Sequence, residues 1–254
     1  MEKSILVVTE GGPHAWAIVN ALASHFGDVV VIREAPESKK ALLMRRARKQ
    51  GWLSAAGQLG TMIVVRLGKR FFADRAERII AEAGLETEPR AGQAIVDVPS
   101  ANSPEFLDAV ARLKPTAMLL VGCRLLSRKT LEALPCPMLN YHAGITPKYR
   151  GMNGGYWALA TGDGGNFGAT VHLVDPGVDT GGVLHQVRGR PGDGDNIALY
   201  ALRLASLSRD ICIRGIEDAV EGRLTPTTPA MPSRQWYHPT IWSYLGTGLA
   251  KGVW

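Results

Sequence analysis

The sequence predicts an α/β protein built on a Rossmann-like, open and mostly parallel sheet. Three observations support this fold class. A β-branched run at 4–9 is followed by a glycine turn, a helical pattern and a second apolar strand at 28–32. Strand-like and helix-like segments alternate again from residue 94 onward, which is the order that right-handed βαβ crossovers produce. Hydrophobic residues make up 46% of the 254 residues, enough to bury a core.

The period of the apolar residues assigns the strands and helices. Short apolar runs predict strands at 4–9, 28–32, 94–98, 116–121, 137–140, 168–174 and 182–187. Helical spacing predicts helices at 15–26, 102–113, 126–134, 153–161 and 195–220. Gly27 and Gly222 suit the positions after the first and last of these helices, and Asp195 or Asn196 is the predicted N-cap of the last one.

A helical, basic insertion separates the second and third predicted strands, at about 33–90. It holds thirteen Lys and Arg against seven Asp and Glu, an excess equal to the net charge of +6. Helices are predicted at 41–50 and 74–83. The uncharged stretch 51–65 is predicted to be a further helical element that packs against the core or a partner subunit rather than a membrane surface. The basic charge is interpreted first as a solvated helical face, then as a site for a phosphorylated or nucleotide-linked amine, and last as a surface for nucleic acid or anionic membrane.

The last segment, 223–254, is predicted to be an extended arm. Its prolines at 226, 229, 232 and 239 are too closely spaced for a regular helix. Aromatic residues are enriched at interfaces, so we expect the arm to pack on the body of the protein or on a second subunit, as in a homodimer. These aromatic residues are Trp236, Tyr237, Trp242, Tyr244 and Trp254.

The composition excludes several classes of protein. Cys123, Cys136 and Cys212 form no close pair, which excludes a disulfide framework and a CxxC metal site and fits a reducing cytosol. No apolar run reaches the roughly 18 residues that a bilayer span requires. The first strand follows Met1 almost at once, so no signal peptide is expected and the protein is predicted to be cytoplasmic.

Two polar residues stand at the carboxyl end of the strand predicted at 137–140. Asn140 and His142 are two positions apart, so the period of a strand places both side chains on the same side. The carboxyl ends of strands in open α/β sheets are where ligands bind. Asn offers an N–H donor and His a ring that titrates near neutral pH, so together they could stabilise a developing oxyanion. On this spacing alone, a role in satisfying buried backbone groups is an equal alternative.

A second cluster follows the strand predicted at 168–174. A glycine-rich loop carries Asp175 and Asp179, each of which could turn the chain by accepting backbone N–H bonds. Fourteen of the 29 glycines lie between 144 and 194, where the backbone must turn sharply or approach a ligand. A carboxylate beside an imidazole favours the protonated ring and can pass protons on. His172, on that strand, is expected either to support the site or to have a purely structural role.

Together these segments closely resemble the folate-dependent formyltransferases, which include the glycinamide ribonucleotide, methionyl-tRNA and sugar N-formyltransferases. The family pattern is Asn-x-His, a loop ending in Pro-x-Tyr-Arg-Gly, then Thr-x-His and an Asp before glycine-rich sequence. Every element is present at the family spacing, and the resemblance extends from about 116 to 186. The matching residues are Asn140, His142, Pro147, Tyr149, Arg150, Gly151, Thr170, His172, Asp179 and Gly181.

The resemblance implies a formyltransferase-type catalytic domain over 1–222. It implies Asn140, His142 and Asp179 as the catalytic residues and 10-formyltetrahydrofolate as the formyl donor. It also places the pterin ring between the segment after the central strand and the glycine loop. The residues expected to bind the ring are Arg124, Leu126, Leu131, Met138, Val174, Asp175 and Gly177. No metal is expected, because His142, His172 and His185 lack zinc-ligand spacing.

The implied reaction is transfer of a formyl group to a primary amine of a small molecule. The tRNA-formylating members carry a further C-terminal domain, and only about thirty residues follow Val220, so nucleic acid is not the expected acceptor. The purine enzyme lacks an insertion like 33–90. An amino sugar on a nucleotide carrier is therefore the first choice of acceptor, and another biosynthetic amine the second. Two alternatives stay open: a hydrolase that releases formate from the same donor, and a non-catalytic folate or nucleotide binder.

Overall fold

The computed structural model describes residues 4–254, and strands and helices alternate along most of that range. The strands are β1 (Ile5–Thr9), β2 (Val29–Glu34), β3 (Ile95–Val98), β4 (Ala117–Val121), β5 (Met138–His142), β6 (Arg150–Gly151), β7 (Gly168–Leu173), β8 (Val183–Arg188) and β9 (Gln235–Trp236). The helices are α1 (Pro13–Phe26), α2 (Lys39–Gln50), α3 (Trp52–Gly68), α4 (Ala73–Ala83), α5 (Pro104–Leu113), α6 (Arg128–Glu132), α7 (Gly154–Ala160), α8 (Tyr200–Val220) and α9 (Ile241–Lys251). Short 3₁₀ turns lie at Lys69–Phe72 and Gly164–Asn166.

Seven of the strands form the central sheet, in the order β3-β2-β1-β4-β5-β7-β8. The first five in this order run parallel, and β7 is antiparallel to both β5 and β8. This topology confirms the predicted α/β fold with a mostly parallel, Rossmann-like sheet. Because β1, β4 and β5 lie side by side and parallel, their carboxyl ends open onto the same edge. Asn140 and His142 lie at that edge.

Apolar side chains cover both faces of the sheet. Every residue of β1 and β4 is buried, as expected for parallel strands with helices on both sides. On one face, α1 and α8 pack against the strands through a cluster that includes Ile18, Leu22 and Ile216. On the other face, α5 packs through Phe106 and Val110. The strand ends that carry polar residues are therefore held on a rigid support.

The basic insertion begins two residues later than the sequence predicts. Arg33 and Glu34 continue β2 and pair with β3. The Glu34 side chain is buried, and its carboxylate accepts hydrogen bonds from the Ala101 N–H and from Arg124, which offset its lost hydration. The rest of the insertion forms α2, α3 and α4, which confirms the predicted helices, including the uncharged one.

The last helix that packs on the sheet begins at Tyr200 rather than at the predicted residue 195. Asp195 does not cap it, because the Asp195 carboxylate accepts a hydrogen bond from the Arg203 guanidinium at 2.8 Å. Asn196 turns the chain ahead of the helix by accepting the Ala198 N–H. The polar side chains predicted as caps are thus engaged in the turn before the helix.

The C-terminal arm is not extended throughout. Strand β9 pairs with β6, but residues 241–251 then form α9, and there the prediction of an extended arm is wrong. The helix forms because no proline follows Pro239 and because the Thr240 hydroxyl caps its first turn. The arm packs on the body as expected, since Trp236 is buried and stacks on Trp157 at 4.6 Å between ring centroids.

One surface of the insertion and arm is apolar. Helix α3 packs one side against α9, where Gly57 and Gly60 let Trp242 and Ile241 approach closely, and leaves its other side exposed. The exposed large apolar side chains of α3, the turn after it and α9 form what we call the apolar face. They are Trp52, Leu53, Leu59, Ile63, Val64, Leu67, Phe71, Trp242, Leu245 and Leu249. No helix within 4–254 has both the length and the apolar composition that a membrane crossing needs.

Candidate active site

The pairing of β5 with β7 brings four polar residues together. Asn140 and His142 point to the same side of β5, and the antiparallel register places His172 opposite Asn140 and Thr170 opposite His142. Asn140 Nδ2 lies 3.1 Å from His172 Nε2. Asn-x-His on one strand and Thr-x-His on the next therefore form one cluster, and His172 contacts the predicted catalytic amide directly.

Asp179 joins this cluster from the glycine-rich loop after β7. Its Oδ1 accepts a hydrogen bond from Asn140 Nδ2 at 3.1 Å and lies 3.4 Å from His172 Nε2. Its Oδ2 lies 3.5 Å from His142 Nδ1. One carboxylate thus faces both imidazoles and the amide. The structure brings together the three residues predicted to be catalytic, although Asn140 and Asp179 are 39 positions apart.

Backbone contacts fix the position of the Asp179 carboxylate. Asp179 has a left-handed backbone conformation, with φ 50°, and its Oδ2 accepts the Gly151 N–H at 2.8 Å. Arg150, in the same segment, donates a hydrogen bond to the Val178 carbonyl. The Tyr-Arg-Gly part of the sequence pattern therefore holds the Asp179 loop in place, a role that the spacing alone does not indicate.

The charge of Asp179 is set by its neighbours. Burial by itself would raise the pKa of Asp179, but the two imidazoles and the Gly151 N–H outweigh burial and hold that pKa well below its usual range. Asp179 is therefore ionised near neutral pH. A carboxylate placed between two imidazoles can take part in proton transfer.

A backbone contact decides which nitrogen of His142 faces the site. Nε2 lies 2.6 Å from the Tyr149 carbonyl oxygen, so this nitrogen carries a proton and donates it there. Nδ1 is left to face Asp179. The loop can come this close because residue 144 is glycine: a Cβ at Gly144 would lie 2.6 Å from both His142 Nε2 and the Tyr149 oxygen. Gly144 is a positioning residue that the sequence analysis missed.

Four of the residues predicted to bind the pterin ring lie together beside this cluster. Leu126 and Met138 are buried in one apolar cluster, and Leu131 and Val174 pack at its edge. The Val174 N–H donates a hydrogen bond to the Met138 carbonyl, which joins this wall to the strand that carries Asn140. An apolar wall next to convergent polar groups is the usual composition of a small-molecule site.

The loop after Val174 is tightly turned. Asp175 accepts hydrogen bonds from the Gly177 N–H and the Thr180 hydroxyl. A Cβ at Gly177 would collide with Thr180, so the turn requires glycine. Asp175 and Gly177 therefore shape the loop that delivers Asp179, and their contact with a folate stays a prediction.

The Arg124 guanidinium is already engaged. Its Nε pairs with the buried Glu34 carboxylate at 2.9 Å, and its Nη2 donates to the carbonyl oxygens of Ala35 and Pro99. Arg124 therefore holds the loop after β4 against the end of β2, and folate binding through its side chain stays a prediction. The sequence analysis missed Glu34, because a buried acidic partner becomes visible only when β2 and the loop after β4 lie together.

The cysteines take no part in this cluster. Cys123, Cys136 and Cys212 are free thiols, and burial raises the pKa of the Cys136 thiol to about 11. A thiol with a raised pKa is protonated near neutral pH and is a poor nucleophile. Within residues 4–254, no group of three His, Cys, Asp or Glu side chains is arranged to hold a metal ion.

Comparison with known proteins identifies the family. The family model described as formyl transferase matches residues 2–207, and the chain belongs to this family. A methionyl-tRNA formyltransferase from Syntrophus aciditrophicus is 26% identical over 148 residues, which are 58% of this chain and 47% of that protein. The chain spans about half the length of the curated relatives it matches.

Solved structures of formyltransferases share the fold. Glycinamide ribonucleotide transformylase 1 from Symbiobacterium toebii has a TM-score of 0.58 at 21% identity, and the match covers 92% of each chain. A sugar 3N-formyl transferase, determined in the presence of dTDP and 5-N-formyl-THF, has a TM-score of 0.54 at 12% identity and covers 93% of this chain and 70% of that one. At these identities the likeness establishes the fold, and the family assignment rests on the sequence match.

Proposed function

We propose that the protein transfers a formyl group from 10-formyltetrahydrofolate to the primary amine of a small molecule. The observation that carries this proposal is the contact of the Asp179 carboxylate with Asn140 and His142 at the carboxyl end of β5. Acyl transfer between two nitrogen atoms needs hydrogen-bond donors for a developing negative charge and a group that handles a proton. These three side chains supply both within one small volume. Membership of the formyl transferase family supports the same chemistry.

Asn140 and His142 act on the formyl oxygen in this proposal. Asn140 Nδ2 carries two hydrogens, which face Asp179 Oδ1 and His172 Nε2 in the structure, so one of these contacts must be exchanged for the formyl oxygen. His142 directs Nδ1 into the same space because its Nε2 is bonded to Tyr149. Negative charge develops on the oxygen as the amine attacks, and donors already held in place stabilise it without reorganisation. One such donor is typically worth about 10²- to 10³-fold in turnover.

Asp179 handles the proton that the attacking amine loses. Its carboxylate faces Nδ1 of His142 at 3.5 Å and so orients that ring. Its own pKa is held low, so it cannot store the proton and passes it on, through water, toward the leaving nitrogen. His172 is bonded through Nδ1 to its own strand at the Leu173 carbonyl, so its Nε2 accepts a hydrogen bond from Asn140 Nδ2 and orients that amide.

The described residues fit a folate. When bound, 10-formyltetrahydrofolate supplies a formyl group on a nitrogen atom that can leave. The wall beside Asn140 is apolar, as a flat heteroaromatic ring requires, and the turn after it is closed at Gly177 against the Thr180 side chain. The residues proposed to hold the ring are Leu126, Leu131, Met138, Val174, Asp175 and Gly177, together with Arg124.

The proposed acceptor is an amine on a small molecule, with a nucleotide-linked amino sugar as the first choice. The fold shared with a sugar 3N-formyl transferase supports this class. A thermal-shift screen of nucleotide sugars and small amines, in the presence of a folate analogue, identifies the acceptor, because ligands stabilise the folded state that binds them. The compound that raises the melting temperature then enters a formyl-transfer assay.

The same assay separates the proposal from its alternatives. Asn140→Ala should remain folded and lose at least about a hundredfold in turnover; near-normal turnover would contradict the role given to the amide. Formate release without any amine would identify a hydrolase of the same donor. Donor binding without transfer to any amine would identify a non-catalytic folate binder.

A further inference from the structure

Arg46 of α2 is a buried cation without an anionic partner. Its exposed fraction is 7%, and its Nη1 and Nη2 donate to the sulfur atoms of Met62 and Met152, at 3.2 and 3.6 Å. None of the ion pairs within residues 4–254 includes it. The nearby Glu37 carboxylate is taken by Arg45, at 2.7 Å. A thioether is a weak acceptor, so the guanidinium lacks the oxygen partners that it normally has.

An unpaired buried charge is unfavourable in a folded protein. Burial, together with the charge of Arg45, lowers the pKa of Arg46. A buried guanidinium normally forms two parallel hydrogen bonds to a carboxylate or a phosphate, which offsets its lost hydration. Because the chain offers Arg46 two sulfur atoms instead, an anion from outside the chain is the natural partner.

The position of Arg46 connects it to the candidate active site. Met152 directly follows Gly151, whose N–H holds the Asp179 carboxylate at 2.8 Å, and the Met152 side chain is 41% exposed. The charge of Arg46 also reaches the arm: it adds to burial in lowering the pKa of His238 to about 4. The guanidinium of Arg46, on the insertion, therefore lies near both the arm and the segment that positions Asp179.

We propose that Arg46 binds a phosphoryl group of the amine that is formylated. The planar guanidinium matches two oxygens of a phosphate or diphosphate, which a lysine at the same place would not do. Met62 and Met152 are flexible and can move aside for such a ligand. The proposal rests on formyl transfer as the proposed function and assigns a residue of this chain to the phosphate or diphosphate group of the acceptor.

Binding of inorganic phosphate and pyrophosphate tests this directly. Thermal unfolding is measured with each anion and with sodium chloride at matched ionic strength. Arg46→Met removes the charge and keeps much of the volume, and Arg48→Met makes the same change at an exposed position of the same helix. Pyrophosphate should raise the melting temperature of the unmodified protein and of Arg48→Met, but not that of Arg46→Met. Without the anion, Arg46→Met should be at least as stable as the unmodified protein.

A second variant guards against a folding defect. Arg46→Lys keeps the charge without the planar fork and should bind pyrophosphate about tenfold or more weakly. Equal protection of the unmodified protein and both Arg46 variants, or no protection of the unmodified protein at millimolar pyrophosphate, would overturn the proposal. These measurements need no formyl donor, so they fail or succeed independently of the proposed function. With the acceptor in hand, Arg46→Met should raise its KM about ten- to a hundredfold and leave kcat nearly unchanged.

The apolar face supports a separate inference. It holds ten of the fourteen exposed large apolar side chains found within residues 4–254. The segments that form it carry charge of one sign, because 38–73 has nine Lys and Arg with no Asp or Glu, and 222–254 has three with none. A solvated helical face would mix both signs or place charges along its exposed side.

We infer that the apolar face rests on an anionic membrane surface. Helices that lie in the lipid interface combine an apolar stripe, tryptophan and flanking basic residues. Trp52 and Trp242 supply the aromatic rings, and Arg66 and Lys69 lie exposed at the C-terminal end of α3 and in the turn after it. A symmetric dimer through this face would bring like charges of two copies together, which is unfavourable.

Sedimentation with lipid vesicles tests the membrane contact. The protein should sediment with vesicles that contain phosphatidylglycerol, and about tenfold less with phosphatidylcholine alone or at high salt. Leu67→Glu and Phe71→Glu change residues that are 69% and 71% exposed, so the fold should persist and sedimentation should be lost. Leu125→Glu, exposed away from this face, is the control. Failure to sediment with anionic vesicles, or a dimer in light scattering that the two variants dissociate, would overturn the inference.

Discussion

Replacing Asp179 with asparagine removes one charge and almost no volume. The amide of the variant can still accept the Gly151 N–H, which lies 2.8 Å from the carboxylate. The variant loses the negative charge that faces His172 Nε2 at 3.4 Å and His142 Nδ1 at 3.5 Å. The loop should therefore keep its place while both imidazoles lose their negatively charged neighbour.

The expected loss of activity follows from that role. A positioned group that moves a proton in the transition state typically contributes about 10²- to 10⁴-fold. Turnover of Asp179→Asn should fall at least about a hundredfold, which corresponds to about 2.7 kcal/mol in the activation free energy. The acceptor KM should change far less, because the contacts proposed to bind the acceptor are elsewhere.

The stability of the same variant should depend on pH in a defined direction. The folded-state pKa of Asp179 lies below its usual range, so the ionised carboxylate stabilises the folded protein at pH values above about 4, its unfolded-state pKa. That stabilisation is lost as the pH falls further. The melting temperature of Asp179→Asn should be lower than that of the unmodified protein at pH 7, and the difference should shrink below about pH 4.

Single-turnover formyl transfer with the identified acceptor measures the activity, and circular dichroism measures the fold. Asp97→Asn is the matched control, because Asp97 is exposed and pairs with Arg33 at the surface, where such a pair contributes at most about 1 kcal/mol. Its turnover should match that of the unmodified protein. A folded Asp179→Asn with turnover within a few-fold of normal would refute the role of the carboxylate.

Three further predictions concern the support of the site. Gly144→Ala should displace the His142 ring, lower activity and reduce the unfolding free energy by about 1–3 kcal/mol. Gly165→Ala is the control, because its added carbon meets nothing within 4 Å, and it should change neither activity nor stability. Equal effects of the two variants in activity and melting assays would contradict this prediction. The pKa of His238 is lowered to about 4, so between pH 6.5 and 4 the unfolded chain binds a proton at this residue that the folded protein does not, and the unfolding free energy should fall by up to about 3 kcal/mol. His238→Gln should weaken this pH dependence. The same pH dependence of the unfolding free energy in both proteins, measured by denaturant titration, would count against the prediction. Trp236→Ala should lower the unfolding free energy by about 3 kcal/mol, and a change below about 1 kcal/mol would show that the arm adds little.

The sequence sufficed for the fold class and for the convergence of the three proposed catalytic residues. Period-two spacing placed Asn140 and His142 on one side of a strand, and parallel strands bring their carboxyl ends to one edge. Spacing within the family pattern connected Asp179 to them. These features are readable because they depend on the local period and on chain order, which the sequence contains.

Other parts of the site depend on contacts between distant segments. Glu34 looks like the start of a charged insertion until β2 and the loop after β4 lie together and Arg124 reaches it. Gly144 is one of many glycines until His142 needs the space beside it. Arg46 is one of several basic residues of α2, and only packing against α3 and the segment after Gly151 separates it from its solvated neighbours.

The most direct test of formyl transfer is to follow the carbon atom itself. The protein is supplied with 10-formyltetrahydrofolate labelled with ¹³C in the formyl group and with the stabilising amine, and the products are identified by NMR and mass spectrometry. The label should appear as a formamide on the acceptor nitrogen, and Asn140→Ala and Asp179→Asn should slow its appearance at least about a hundredfold. Label found only in formate, or label still on the donor while both ligands are bound, would contradict the account.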